Sequence, residues 1–252
     1  MPAGATRPAE LHRRPPALAP ATAHASKTHP DPPMAAIGKA QAVASTAAAP
    51  YGAAMAKLEF FWDVVSPYTY LAFTQLDGLR ERSGAELLLR PFLVGGVFKA
   101  TGNEMPARLP AKAKYMMQDL ARWRDAYAVP LKLPGETPFP INSLLPMRAA
   151  MAAEAVGAQE VACRALFDAY WGRGVDVSGA AELAEVLAGA GLDGDGLLAA
   201  AATQGIKDAL RANTDEAVAR GAFGAPAMFV GEALFWGNDR LAHVETALGS
   251  AP

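Results

Sequence analysis

The stretch Leu58-Glu-Phe-Phe-Trp-Asp63-Val-Val-Ser66-Pro67-Tyr68-Thr69 decides the fold. Lys57–Asp63 is rich in aromatics and reads as a short strand. Ser66 then stands as an N-cap, with Pro67 at the first helical position, where a missing N–H is no loss. Tyr70, Leu71, Phe73, Thr74, Leu76 and Leu79 follow at helical spacing and predict one helix ending near Gly84. Glu86-Leu-Leu-Leu-Arg-Pro-Phe92 reads as a second, largely buried strand, so the opening is a parallel βαβ unit. A turn from first strand into first helix is where a Cys-x-x-Cys redox pair would sit, and here its first position is serine and its fourth threonine. The chain holds one cysteine, Cys163, far downstream. Dithiol chemistry at the turn is excluded, and any sulfur acting there must arrive with another molecule.

Working outward, residues 94–105 (VGGVFKATGNEM) read as a Gly-containing loop. Pro110 to about Ala126 is helical, with Tyr115, Met116, Leu120 and Trp123 as its apolar positions. A connection with Pro130, Pro134, Pro138 and Pro140 follows, then Ala-rich helices over 146–171, 178–190 and roughly 195–220. Ala225-Pro-Ala-Met-Phe-Val-Gly231 and Glu232-Ala-Leu-Phe-Trp-Gly237 form a hairpin pattern, and Asn238 and Asp239 cap a last helix through Leu248. The order is β-α-β, a helical block, then β-β-α. Without the block this is a thioredoxin-like order, so the expected fold is α/β, thioredoxin-like, with an inserted all-helical subdomain. The expected division is a tail at 1–56 and a domain at 57–250, with a core of 57–105 and 222–250 around an insertion at 106–221.

The tail distorts the averages. It carries nine of the twenty prolines, three of the four histidines and one aromatic, Tyr51, and reads as disordered. Residues beyond it hold eighteen basic and twenty-three acidic side chains, a net charge of −5, which argues against a nucleic-acid binder. No run of about 18 apolar residues exists, so no membrane span is expected. The tail lacks the apolar core of a secretory signal, and its arginines and few acids leave room for an organelle transit peptide. Met55 stands where order should begin, so a start there with 1–54 as an upstream extension is a third reading. A single cysteine fits a reducing compartment, and the expected location is the cytoplasm. No metal-ligand set is expected.

Three places carry chemistry. Ser66 at a helix start is, at the least, a cap. The alternative, functional reading is that a bound thiol placed there would accept a hydrogen bond from the Ser66 hydroxyl and have its pKa lowered, since helix N-termini favour negative charge. Ser66 as a covalent nucleophile would need a base, and His243, the one histidine beyond the tail, sits inside the final helix, against a Ser/His/Asp hydrolase. Ala225-Pro226 at a strand start is simple turn chemistry on its own. In a thioredoxin-like domain such a proline is typically cis, and exposes the preceding N–H and C=O to a peptide unit. Trp236-Gly-Asn-Asp239 is a strand end and helix cap, whose free N–H groups suit a carboxylate and whose Asp239 suits an ammonium.

Phe61-Trp-Asp-Val-Val-Ser-Pro-Tyr-Thr-Tyr-Leu71, Gly95-Gly-Val-Phe-Lys99, Thr101-Gly-Asn103, Asp119-Leu-Ala-Arg-Trp123, Phe223-Gly-Ala-Pro226 and Trp236-Gly-Asn-Asp-Arg240 together resemble 2-hydroxychromene-2-carboxylate isomerases. Those are relatives of kappa-class glutathione transferases in the DsbA-like branch of the thioredoxin superfamily, and the similarity covers about 57–249. The resemblance implies glutathione as cofactor, an aromatic carboxylate substrate from aromatic-compound degradation, and a homodimer. It places Ser66 at the thiol-activating position. Ala225 and Pro226 fall at the cysteinyl contact, and Trp236, Gly237, Asn238 and Asp239 surround the γ-glutamyl end. It puts Lys99, Asn103 and Arg108 on the substrate side. The segment Glu104–Pro110 departs from the family length, and Gly135–Pro140 lacks a tyrosine that some members place near the substrate. Two other readings share the residues: a kappa-like transferase that consumes glutathione, and a non-catalytic DsbA-like peptide-binding protein. Cys163, beside Val161, Leu166 and Phe167, reads as a small buried hydrophobe.

Overall fold

A computed structural model describes residues 55–250, with the side chain of Ser250 excepted. Apart from Met55 and Ala56, the tail lies outside the described residues. The elements run β1 (Lys57–Trp62), α1 (Pro67–Phe73), α2 (Leu76–Ser83), β2 (Glu86–Pro91), α3 (Val94–Thr101) and α4 (Pro110–Tyr127). Helices α5 (Leu144–Glu154), α6 (Gln159–Phe167), α7 (Ala180–Gly189), α8 (Gly194–Ala201) and α9 (Gln204–Ala219) come next. Strands β3 (Ala227–Val230) and β4 (Ala233–Trp236) and helix α10 (Leu241–Ser250) close the chain.

The sheet has the order β2-β1-β3-β4. β1 pairs parallel to β2, with Phe60 opposite Leu89, and antiparallel to β3, with Phe60 opposite Met228. β3 and β4 form the expected hairpin. Period-two alternation along β1 sends Leu58, Phe60 and Trp62 into the large core under α1, α2 and α10, and Phe61 into a smaller one with Phe92 and Phe229. Glu59 shares the Phe61 side, where it accepts from Arg90 and Arg220, and the Arg220 guanidinium lies 3.9 Å from the centre of the Phe229 ring. This α/β arrangement, a four-stranded mixed sheet with helices packed on it, has the thioredoxin-like order expected from the sequence.

Five stretches differ from expectation. The helix from Ser66 is interrupted between α1 and α2, because Thr74 Oγ1 takes the Leu71 carbonyl at 2.7 Å and Gln75 N–H falls back to Ala72 O. Residues 94–101 are helical rather than loop. Two glycines argue against a helix locally, but its first N–H groups are satisfied from afar: Leu93 N donates to Thr214 Oγ1 at 3.0 Å and Val94 N to Asp63 Oδ2 at 2.9 Å. A Cβ at Gly96 would approach Thr214 Cγ2 to 3.0 Å, so the glycine permits the packing of α3 on α9. Third, the run 146–171 is two helices separated at Gly157 (φ 69°), followed by a π-helical turn at Asp168–Gly172, and 195–220 is likewise two, α8 and α9. Finally, Asn238–Arg240 is a 3₁₀ turn leading into α10 rather than its cap.

Candidate active site

The turn after β1 is fixed from three sides before Ser66 appears. Trp171 Nε1 donates to Val64 O at 2.7 Å, and Val64 N–H contacts Met147 Sδ at 3.4 Å. Asp63, with no exposed surface, accepts from Val65 N at 3.2 Å, Val94 N at 2.9 Å and Ser143 Oγ at 3.1 Å. One buried carboxylate thus ties together the Ser66 turn, the start of α3 and the start of α5. Burial raises its pKa to about 6 despite those three donors. Nothing adjacent in the chain signals this role, since two of its three donors, Val94 and Ser143, lie 31 and 80 residues away.

Ser66 caps α1 as expected, its Oγ accepting from Thr69 N–H at 3.2 Å. The hydroxyl proton goes to Ala225 O at 3.3 Å, which brings the two expected site positions into contact across 159 residues. The Ala225–Pro226 peptide is cis, and the Ala225 N–H has no partner among the described residues. Gly237 (φ 99°) donates its N–H to Pro226 O at 3.2 Å, so the 225–226 segment and the 236–239 turn are one unit. Trp236 stacks on Phe223 with ring centres 4.9 Å apart. A Cβ at Gly224 would lie 2.6 Å from Trp236 Nε1, so the indole requires glycine there. Asn238 is buried and its carbonyl accepts from Tyr127 OH at 3.3 Å. Asp239 is partly exposed, held by the adjacent Arg240 at 2.6 Å.

The second wall comes from α3, the 3₁₀ turn Pro106–Arg108 and α4. Lys99 is exposed, with no ion-pair partner among the described residues. Asn103 is not free: its amide donates to Phe223 O at 2.7 Å and fastens the end of α3 to the proline loop. Arg108 is exposed and paired with Glu104 at 3.3 Å. All ten expected site residues except Pro226 line one cavity of about 1940 Å³. No cysteine lines it, and Cys163 is fully buried, where burial raises its thiol pKa well above the ordinary value.

Tyr68 and Asp119 complete this wall. Tyr68 OH donates to Asp119 Oδ2 at 3.0 Å, and burial, then the Asp119 charge, raise the Tyr68 pKa, keeping the hydroxyl protonated as a donor. Asp239 acts on the same hydroxyl, so two carboxylates face one corner of the cavity. The helical spacing of Met116, Asp119 and Trp123 was the signal in the sequence that could have placed Asp119 there.

Residues 57–249 match the family model described as a DSBA-like thioredoxin domain. This chain belongs to that family. Within it, the chain is 35% identical over 193 residues to a 2-hydroxychromene-2-carboxylate isomerase of Sphingobium xenophagum, covering 76% of this chain and 97% of that protein. It is 34% identical over 201 residues to glutathione S-transferase kappa 2 of Caenorhabditis elegans, covering 74% and 89%. Among solved structures, a 2-hydroxychromene-2-carboxylate isomerase superposes with a TM-score of 0.66 at 28% identity, over 77% of this chain and 95% of that one. A cytosolic disulfide reductase, DsbM of Pseudomonas aeruginosa, solved with GSH, shares the fold with a TM-score of 0.53 at 20% identity. This DSBA-like domain is therefore similar in sequence both to 2-hydroxychromene-2-carboxylate isomerases and to kappa-class glutathione transferases.

Proposed function

We propose that this protein is a glutathione-dependent cis–trans isomerase of the 2-hydroxychromene-2-carboxylate type. The observation that carries the reading is a cavity that contains no cysteine of its own, yet holds a serine hydroxyl 3.3 Å from the carbonyl before a cis proline. The residues fit the tripeptide. The Ala225 N–H and C=O are a strand-like pair for a cysteinyl unit, and Asp239 and Asp119 suit the ammonium of a γ-glutamyl group. At about 1940 Å³ the cavity exceeds the roughly 300–1,000 Å³ of an ordinary small-ligand site, which leaves room for cofactor and electrophile together.

Glutathione, when bound, would supply a nucleophilic thiolate for reversible conjugate addition, chemistry that can isomerise a double bond without net consumption of thiol. Ser66 redirects its proton from Ala225 O to the sulfur, stabilising the thiolate at the first turn of α1. Lys99 holds the substrate's negative group and stabilises charge that develops on the conjugated oxygen. Asn103 keeps α3, and with it Lys99, in register with the proline loop.

Calorimetric titration with glutathione, followed by an assay on 2-hydroxychromene-2-carboxylate, tests the reading. Saturable binding and conversion without loss of thiol are expected, and absence of glutathione binding overturns it. The comparable identity to a kappa transferase supports a second reading, in which the same thiolate adds irreversibly. Thiol consumption with a chlorinated aromatic, and inertness toward the chromene, would select that one.

A further inference from the structure

Helix α3 forms part of the cavity wall, with Gly95, Gly96, Phe98, Lys99 and Thr101 in the lining. Its own sequence suits a helix poorly. It is eight residues long, contains adjacent glycines, and has no side-chain cap from its N-cap residue, Leu93. A segment that short is not a stable helix by itself in water. Asp63, at Val94 N, holds its start from the side of the Ser66 turn.

The support from the opposite side is one dipeptide of α9, Asn213-Thr214. Thr214 Oγ1 accepts from Leu93 N at 3.0 Å and donates its own proton to Leu210 O at 2.9 Å. Asn213 Nδ2 donates to Pro91 O at 3.0 Å, and its Oδ1 accepts from Arg90 at 3.1 Å. Two neighbouring side chains therefore hold the whole connection from the end of β2 into α3. Packing adds to the bonds, since Gly96 leaves room for the Thr214 methyl where a Cβ would approach it to 3.0 Å.

Thr214 also breaks the pattern of its own helix. Leu210, Thr214 and Ala217 are the buried residues of α9, so a hydroxyl stands in the middle of an otherwise apolar stripe. A buried hydroxyl is costly unless bonded, and of its two bonds only the one to Leu93 leaves the helix. The described lining of the cavity includes no residue of α9. Both side chains reach the site only through α3.

We propose that Asn213 and Thr214 are positioning residues, a latch on the β2–α3 connection that sets where α3 presents Phe98 and Lys99 to an electrophile in the cavity. This rests on the glutathione-dependent reading for the existence of that electrophile. The wall of Ser66, Ala225 and the 236–239 turn has its own fastenings, so the latch governs the electrophile and not glutathione. With the Thr214 hydroxyl gone, the Leu93 N–H turns toward water and the start of α3 moves with it.

The test compares wild type with Thr214→Val, which keeps the methyl packing, Thr214→Ser, which keeps the hydroxyl, and Asn213→Leu. Amide hydrogen exchange, glutathione titration and electrophile KM are measured on the full chain. The electrophile is whichever one wild type turns over, 2-hydroxychromene-2-carboxylate or a chlorinated aromatic. Thr214→Val should exchange about fivefold faster over residues 93–102, the scale of one lost cap, with 57–73 and 225–240 unchanged. Its KM should rise about fivefold at saturating glutathione, while glutathione affinity stays within about twofold of wild type. Asn213→Leu should shift both readings the same way, and Thr214→Ser should restore them. Unchanged exchange over 93–102, an unchanged KM or an equal loss of glutathione affinity overturns the proposal, as does acceleration spread evenly along the chain. A wild type that binds no glutathione overturns the glutathione-dependent reading, and exchange then decides the latch: acceleration confined to 93–102 supports it, and none overturns it.

Discussion

The two walls of the cavity are built by opposite means. The wall of Ser66, Ala225 and the 236–239 turn is fastened by backbone groups: Ser66 to Ala225 O, Gly237 N–H to Pro226 O, Tyr127 to Asn238 O. The wall of Lys99, Arg108 and Lys112 presents exposed side chains on helical or 3₁₀ segments, with their charged ends in solvent. Backbone fixes position to a fraction of an ångström, whereas long cationic side chains adapt to what they meet. The difference teaches which part of the cavity can vary without disturbing the rest: a wall fixed by backbone groups leaves little room for substitution, and a wall of long exposed side chains leaves much.

The contrast breaks most visibly at Ser66. In Ser66→Ala, turnover should fall by about 10²–10³, the cost of removing one preorganised donor from developing charge, with glutathione affinity within a few-fold of wild type. Steady-state kinetics beside calorimetry read both, and wild-type turnover would remove Ser66 from the mechanism.

Asp63 tests whether the first wall is as tightly held as its bonds imply. Its folded carboxyl keeps its proton to about pH 6, well above the ordinary aspartate value of 3.8. A raised acid pKa means that its contribution to stability is complete below the unfolded value and is lost as pH rises through the folded one. Wild type should therefore forfeit about 3 kcal/mol from this group between about pH 4 and pH 7. Asp63→Asn should lack that component, so in urea denaturation the stability of wild type should fall relative to Asp63→Asn as the pH rises across the interval. Parallel pH profiles would show that the carboxyl is not burdened by burial.

A smaller effect is expected at the edge of the same wall. Asp239→Ala should weaken glutathione binding by about 1.5–3 kcal/mol, the range for hydrogen bonds to charged groups. An unchanged calorimetric constant would leave the ammonium to Asp119 alone. On the second wall, Lys99→Met should lower turnover while leaving glutathione affinity within a few-fold of wild type, read by the same two measurements. Effects of equal size on both walls would erase the contrast.

The serine-capped turn, the proline at the head of β3 and the tight hairpin after it were legible in the chain, because each is written in adjacent residues. The thioredoxin-like order followed from them, and the missing cysteines excluded dithiol chemistry outright. Tertiary structure alone decided the rest. α3 is a helix because Thr214 and Asp63 satisfy its first N–H groups across 121 and 31 residues, and no window along the sequence contains both partners. Asp119 joins the site through Tyr68, 51 residues away, and lines the cavity only because α4 lies along it. Local chemistry sets turns and caps, but a buried carboxylate finds its donors, and a cavity its charge pattern, only when distant segments pack.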